Sequence, residues 1–440
     1  MSKAQTLARD DGYRGIWYYC NGLGGPYRYK YSGGLGTYCA KHLPLAHHVA
    51  EAGRTFFCYG GRAKDANRLL HMVACYDHAT GKVCRPRVLL DKQTSDGHDN
   101  VTMMLDENGH VYLFSSSHGV ERPAYISRSA EPYSIDAFER IHDKNFSYPQ
   151  PWCVPGEGFL WLHTLYVEGR RFLHWSTSLD GRQWDGPHRL AGTMRGHYQV
   201  SWRHGRKVGT AFNVHPEQGV DGRRNLYYVE TADMGRTWRT IEGDAVETPI
   251  VDHDHPSLAY DSLAEGLLVY LKDLNFDAEG NPIALIVTST GHEPGPEAGP
   301  RTWKTVHWTG GRWEVRGQIT SDSNYDTGCL HVLDDGTWRL IGPTDDGPQP
   351  FSPGGEMVMW TSTDQGANWS RTRQITSASE LNHTYARRPV NAHDDFHALW
   401  ADGHGLQESD SRLYICNAAG DAFRLPTHMD AEWAEPEPLG

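Results

Sequence analysis

An all-β fold, a seven-bladed β-propeller with four-stranded antiparallel blades around a central funnel, is what this sequence predicts, on three observations. Helical periodicity is scarce. Short β-branched and aromatic runs such as "RTFFCYGG", "HVYLFSSS", "NLYYVETAD", "GLLVYLKDL" and "IALIVTST" recur with turn signals about every 8–12 residues. A strand ending in Ser/Thr-x-Asp-x-Gly-x-x-Trp also repeats: "TADMGRTW" (231–238) and "STDQGANW" (362–369) fit fully, and "TSLDGRQW" (177–184) fits with one residue deleted.

Each part of that repeat has a physical role. The Asp accepts hydrogen bonds from turn amides, the Gly takes positive φ, and the Trp fills the gap between neighbouring sheets. Asp180, Asp233 and Asp364 lie 53 and 131 residues apart, the second gap being close to two repeats. A period of roughly 55–65 residues suits one four-stranded blade with its loops, and the chain then holds about seven. The last strand-like segment, "SRLYICNA", is expected to pair near "GIWYYC" and close the ring. No linker is long enough to separate domains. The expected organisation is a flexible N-terminus (1–10), a single propeller domain (11–425) and a C-terminal tail (426–440).

Bulk properties narrow the function. A formal charge of −13 argues against nucleic acid as a partner, while a local basic patch could still take an anionic substrate. No apolar run approaches the roughly 20 residues that a membrane span needs. The start, "MSKAQTLARDDGYRG", has no apolar signal core, so the chain as given reads as cytoplasmic, or as secreted or periplasmic if an export signal has been removed. Eight Cys without CxxC pairs suit buried free thiols. The 15 Trp and 22 Tyr are a high aromatic load; many serve core and inter-strand packing, but rings also stack on sugar faces, which favours a carbohydrate ligand. The expected partner is an oligo- or polysaccharide, bound by a monomer or weak homo-oligomer.

Propeller ligands sit where inner strand ends converge, so site residues are sought there. In "SDGHDNVTMMLDENGHVYLFSSSHG" (95–119), the turn at Asp106–Gly109 sets up a hairpin, and His98 and His118 are equally far from Asn108. Pairing about that turn brings both imidazoles to the open end. Other strand mouths carry Tyr148 in "NFSYPQP", His197 and Tyr198 in "RGHYQVSW", and His215 in "AFNVHPE". Arg223 and Arg224 follow in "GRRNLYY", Tyr325 in "DSNYDTG", and His383, Arg387 and Arg388 in "NHTYARRP". Taken singly, each has a structural explanation: a satisfied strand-end histidine, or an inter-blade ion pair for the two arginines. His253-Asp-His255 has metal-like spacing, and Cys329 with His331 is a looser pair, but strand alternation gives the same pattern. A structural zinc or calcium is therefore the minor reading, and no cofactor is required.

No Ser-His-Asp triad, phosphate loop or carboxylate pair stands out. Ordinary glycosidases need two carboxylates. Histidine, tyrosine and arginine suit β-elimination beside a uronic acid carboxylate. The enzyme neutralises that carboxylate, a Tyr or His removes the C5 proton, and an acid protonates the leaving oxygen.

The segments "DGYRGIWYY", "YKYSGGLGTYCAKHLP", "TFFCYGG", "DGHDN", "SSSH", "SYPQ", "GTAFNVHP", "NLYYVET" and "GPRTW" together resemble the BNR-repeat propeller family over residues 11–425. That family includes seven-bladed ulvan lyases and rhamnose–glucuronate lyases. The resemblance implies that His98 and His118 are the lyase histidine pair and Tyr148 the base and acid. It also implies a carboxylate-binding Arg about sixteen residues after Tyr148, where this chain has His163 and Thr164, so the Arg is expected from elsewhere. A related α-L-rhamnosidase branch uses a single His, for which His42 is the counterpart. The expectations are thus catalytic His98, His118, Tyr148 and His197, with Tyr198, His215, Arg223, Arg224, Tyr325, His383, Arg387 and Arg388 binding substrate. A lyase leads; a His42 hydrolase and a non-catalytic glycan-binding propeller are the alternatives.

Overall fold

The structure is a computed structural model that describes residues 3–439. It is all-β apart from four single-turn 3-10 helices, and no helix is long and apolar enough to cross a membrane. Within the sheets the strands pair antiparallel, with a few isolated parallel bridges such as His47 to Val390, and the sheets succeed one another along the chain as propeller blades. Six are meanders of consecutive strands, at 101–142, 147–191, 199–246, 268–321, 329–374 and 382–424. The sheet at 46–91 is less regular, because Lys82–Cys84 intervenes before its outer strand Arg87–Asp91. The regular blade count is therefore six, where the sequence spacing led to seven.

Positions 159–164 of the strand Gly158–Val167 and the whole of Pro282–Ser289 are buried on both faces, as expected for sheets packed between neighbours. The repeat turns behave as expected. Asp180 accepts from the Arg182 and Gln183 amides at 2.8 and 2.9 Å, Asp233 from Thr237 at 2.9 Å, and Asp364 from Asn368 at 2.8 Å. Gly235 has φ +78°, and a Cβ there would meet the Trp175 indole nitrogen at 2.4 Å. Trp238 is 1% exposed and its ring lies 5.6 Å from that of Trp175, in the preceding sheet.

The termini close the molecule differently from the sequence expectation. Leu413–Cys416 pairs within its own sheet, and Trp17–Gly22 pairs, among the described residues, only with Tyr29–Gly34. That hairpin lies against Asn382–Arg387 and Ala398–Gly403, so closely that a Cβ on Gly34 would fall 1.7 Å from the Asp402 carbonyl oxygen. The segments assigned to a flexible N-terminus and a tail instead add edge strands. Gln5–Thr6 pairs with Ala137 and Phe138, Ala8–Arg9 with Arg87 and Val88, Trp433–Ala434 with Val83 and Cys84, and Glu437–Pro438 with Phe423 and Arg424. Exposed edges are thereby covered. All eight cysteines are free, and all but Cys20 are buried.

Candidate active site

The 95–119 hairpin forms as its turn dictates: Val101 pairs with Ser115 and Leu105 with Val111. Its open end delivers both histidines to one cavity, with rings stacked at 4.1 Å and 19°. Asp96 sits between them. Its carboxylate accepts from His98 Nδ1 at 2.6 Å and from His118 Nδ1 at 2.8 Å, and it also accepts from the His98 amide, capping the short turn 97–99. A carboxylate only accepts, so both rings carry their proton on Nδ1 and present Nε2 as a lone pair. The His98 Nε2 faces the Tyr31 and Tyr38 hydroxyls, each at 2.7 Å. Burial, countered in part by Asp96, pushes His98 down to about 4, so it is neutral at physiological pH. Burial works against ionised Asp96, yet His98 and His118 hold it well below the usual carboxylate range. Arg122 pairs with both Asp96 and Asp99, and Asp99 takes the His118 amide, fixing the base of the pair.

Tyr148 faces this pair, its ring 6.4 Å from His98 and 6.5 Å from His118. It is held at φ +50°, a strained setting for a tyrosine, and its buried hydroxyl makes no hydrogen bond. Burial and the Tyr166 and Tyr198 phenols raise its pKa well above the ordinary value, and Arg171 opposes that rise. Around these groups the lining carries Lys30, Lys41, Arg171, Arg223 and Lys272, with Tyr198, Tyr270, Tyr325 and Tyr385. No Asp or Glu is in that lining. Burial pushes Lys41 down to about 8, and the same cause, with Lys41 alongside, pulls Lys272 well below its ordinary value. A site so rich in cations and poor in anions, within a chain of charge −13, is built for an anionic ligand.

Several lining residues carried no site assignment from the sequence. Arg171 is the main one. It lies on the strand returning from Tyr148's hairpin partner, opposite Tyr166 in the register, and donates to the Tyr166 hydroxyl at 3.0 Å. The linear position sixteen residues on proves structural: His163 is buried and stacks on Trp161 at 4.2 Å. The hairpin register, not spacing from Tyr148, was the signal that would have found Arg171. Tyr31, Tyr38 and Lys41 come from the "YKYSGGLGTYCAKHLP" segment, used above only for its resemblance.

Of the expected site residues, the cavity gathers His98, His118, Tyr148, Tyr198, Arg223 and Tyr325. His197 does not reach it. It is fully buried, accepts from the Thr193 amide at 3.0 Å and donates to the Asn213 carbonyl at 2.9 Å. His215 sits behind Tyr198, its ring 4.5 Å away and both nitrogens without a partner. Arg224 lies outside the lining, opposite Val214. His383 is occupied by Ser379 and the Trp400 indole in a separate groove. Arg387 donates to the His42 carbonyl, and Arg388 pairs with buried Asp273 at 2.8 Å over the Trp202 ring, so both hold blades together. His42 is sealed at 0% exposure behind Tyr148, accepting from the Cys39 amide. His253 is exposed beside Asp252, and His255 bonds Ser257; neither belongs to a metal-capable cluster among the described residues. Cys329 and His331 lie 3.8 Å apart, with His331 stacked on His397.

Comparison with known proteins fits this geometry. Residues 55–320 match the model of the BNR repeat-containing family. The chain belongs to that family. An ulvan lyase of Alteromonas sp. (strain LOR) is 22% identical over 88% of this chain and 87% of its own length. A PL25 ulvan lyase of Pseudoalteromonas sp. (strain PLSV) is 22% identical over 62% of this chain and 63% of its own. The solved structure of a PL25 ulvan lyase superposes with a TM-score of 0.72 at 17% identity, covering 94% of this chain and 96% of that one. That lyase has also been solved bound to -[GlcA(1-4)Rha3S]-.

Proposed function

We propose that this protein is a polysaccharide lyase that cleaves a uronic-acid-containing glycan, of the rhamnose–glucuronate type, by β-elimination in the cavity. The observation that carries the reading is a stacked, Asp96-oriented histidine pair opposite Tyr148 among five cationic side chains, with no carboxylate in the lining. The ulvan lyases that resemble the chain supply the substrate class.

In this reading Arg171, with Lys41 and Arg223 nearby, binds the uronate carboxylate and stabilises the enolate-like charge as C5 loses its proton. His118 Nε2, its tautomer set by Asp96, accepts that proton. The C5–H electrons form the C4–C5 double bond as the C4–O bond breaks, and the Tyr148 hydroxyl protonates the departing oxygen. Neutral His98 and the Tyr31 and Tyr38 phenols orient the sugar and hold the pair in place. The products are an unsaturated uronate end and a free hydroxyl end, so no water is consumed. A two-carboxylate hydrolase has no residues for its roles in this cavity, and His42 is sealed from it. As part of the same proposal, the chain forms one propeller domain, edge strands at both ends included, in which the sheet at 46–91 is the seventh blade. Its inner strand lies between Val390 and the strand Val101–Leu105, as a blade in that position would.

Incubation with ulvan and with desulfated rhamnoglucuronan tests the reading, through the ultraviolet absorbance of the new double bond. A rise that disappears in Tyr148→Phe and His118→Ala is expected. Saturable binding without product would favour the glycan-binding alternative, and free rhamnose without unsaturated ends would favour the hydrolase.

A further inference from the structure

We propose that His48, His78, His393 and Asp395 form a zinc site that clasps the sheet at 46–91 to the loop preceding Ala398–Gly403. The four residues come from three separate parts of the chain and meet where the early and late sheets adjoin. There His47 bridges Val390 and the His48 amide donates to the Val390 carbonyl at 2.9 Å. Ring centroids lie 3.9 Å apart for His78 and His393, 4.9 Å for His48 and His393, and 5.0 Å for His48 and His78. The Asp395 carboxylate reaches both His78 Nδ1, at 3.5 Å, and His393 Nδ1, at 3.4 Å. One ligand atom from each of His78, His393 and Asp395 lies within 4.8 Å of the other two.

These spacings fit a metal better than they fit a structural ion pair. Ligands about 2.0–2.1 Å from a tetrahedral zinc stand about 3.3 Å from one another, close to the two Asp–His distances. Each ring offers one lone pair, and the one contact that a metal at His393 Nδ1 would replace is the hydrogen bond it accepts from the Asp395 amide at 3.2 Å. The outer contacts also resemble those that orient metal ligands. His48 Nδ1 donates to the Asn391 carbonyl at 3.1 Å, which leaves Nε2 as its lone pair, and His78 Nε2 meets the Thr55 hydroxyl at 2.9 Å. Buried Phe396 and Tyr76 form an apolar floor, while His393 and Asp395 stay open to solvent for metal entry. Three nitrogens and one oxygen favour zinc over calcium.

The site lies apart from the candidate active site, so it stands or falls separately from the proposed activity. Full-length protein, stripped with chelator and reloaded with zinc or cobalt, is measured by native mass spectrometry, cobalt d–d absorption and thermal melting. One zinc per chain, a tetrahedral cobalt spectrum, and a zinc-dependent rise in Tm of several degrees are expected. The surface variants Asp395→Asn and His393→Gln should fold, lose the cobalt spectrum and melt alike with or without zinc, while cleaving ulvan at the wild-type rate. Absence of a stoichiometric metal in the reloaded wild type would overturn the proposal. So would an unchanged cobalt spectrum in the Asp395→Asn, His393→Gln double variant, which would place the metal elsewhere.

Discussion

Two histidine clusters in this molecule set a ring pair beside one carboxylate, stacked at 4.1 Å and 19° for His98 and His118 and tilted at 3.9 Å and 42° for His78 and His393, and they differ in burial and in what else surrounds the rings. At 98 and 118, one half-buried carboxylate accepts from both rings and points both Nε2 lone pairs away from itself. At 78 and 393, an exposed carboxylate likewise faces Nδ1 of both rings, and His48 adds a third imidazole beside them. In the proposed reading the first arrangement aims His118 at a substrate while Tyr31 and Tyr38 hold His98, and the second gathers ligands for an ion. Another stacked pair, His331 and His397 at 3.9 Å, has Arg339 rather than a carboxylate hydrogen-bonded to it and is a packing contact. The surroundings, buried phenols at one pair and a third imidazole with open solvent at the other, decide what a histidine pair can do.

The contrast breaks most sharply at the cavity. Tyr148→Phe removes the proposed acid without disturbing packing and should lower kcat on the order of 10²–10⁴-fold, with the circular dichroism spectrum unchanged. Retained activity would remove Tyr148 from the chemistry. Arg171→Ala should raise KM and lower kcat/KM by about 10²-fold, more at low salt, and Arg171→Lys should recover part of the loss because it keeps charge but not the fork. Asp96→Asn should cost on the order of tenfold in kcat and move the acid limb of the pH–rate profile, since the amide no longer fixes both tautomers. An unchanged profile would mean that Asp96 only packs.

Away from the sites the effects are smaller and fall on stability. His98 and His197, each pushed down to about 4 chiefly by burial, bind fewer protons folded than unfolded. Because their folded values are depressed, stability should be intact above pH 6.5 and fall as pH drops from there toward 4. A pH series of melting curves checks this, and a flat Tm across that window would contradict the burial of the rings. Gly235→Ala places a Cβ against Trp175 at positive φ and should cost about 1–3 kcal/mol with kcat unaltered. Arg224→Ala, outside the lining, should change neither rate nor melting appreciably.

The contrast also marks what could be read in advance. A turn with symmetric flanks fixes its own register, so residues 95–119 were enough to bring His98 and His118 together. Arg171 escaped because counting along the chain from Tyr148 misses a partner that returns on the next strand. His197, Arg387 and Arg388 resembled site residues in sequence. Only their hydrogen bonds, to Asn213, His42 and Asp273, show that they are spent inside the fold.

By itself the sequence determined the all-β class, the repeat turns and the histidine hairpin, since each rests on side chains a few residues apart meeting through local geometry. Tertiary structure alone decided which cations surround the cavity, how the terminal strands cover the sheet edges, and that His48, His78 and His393 meet. Those contacts join positions tens to hundreds of residues apart, and pattern carries no record of them until the sheets have packed.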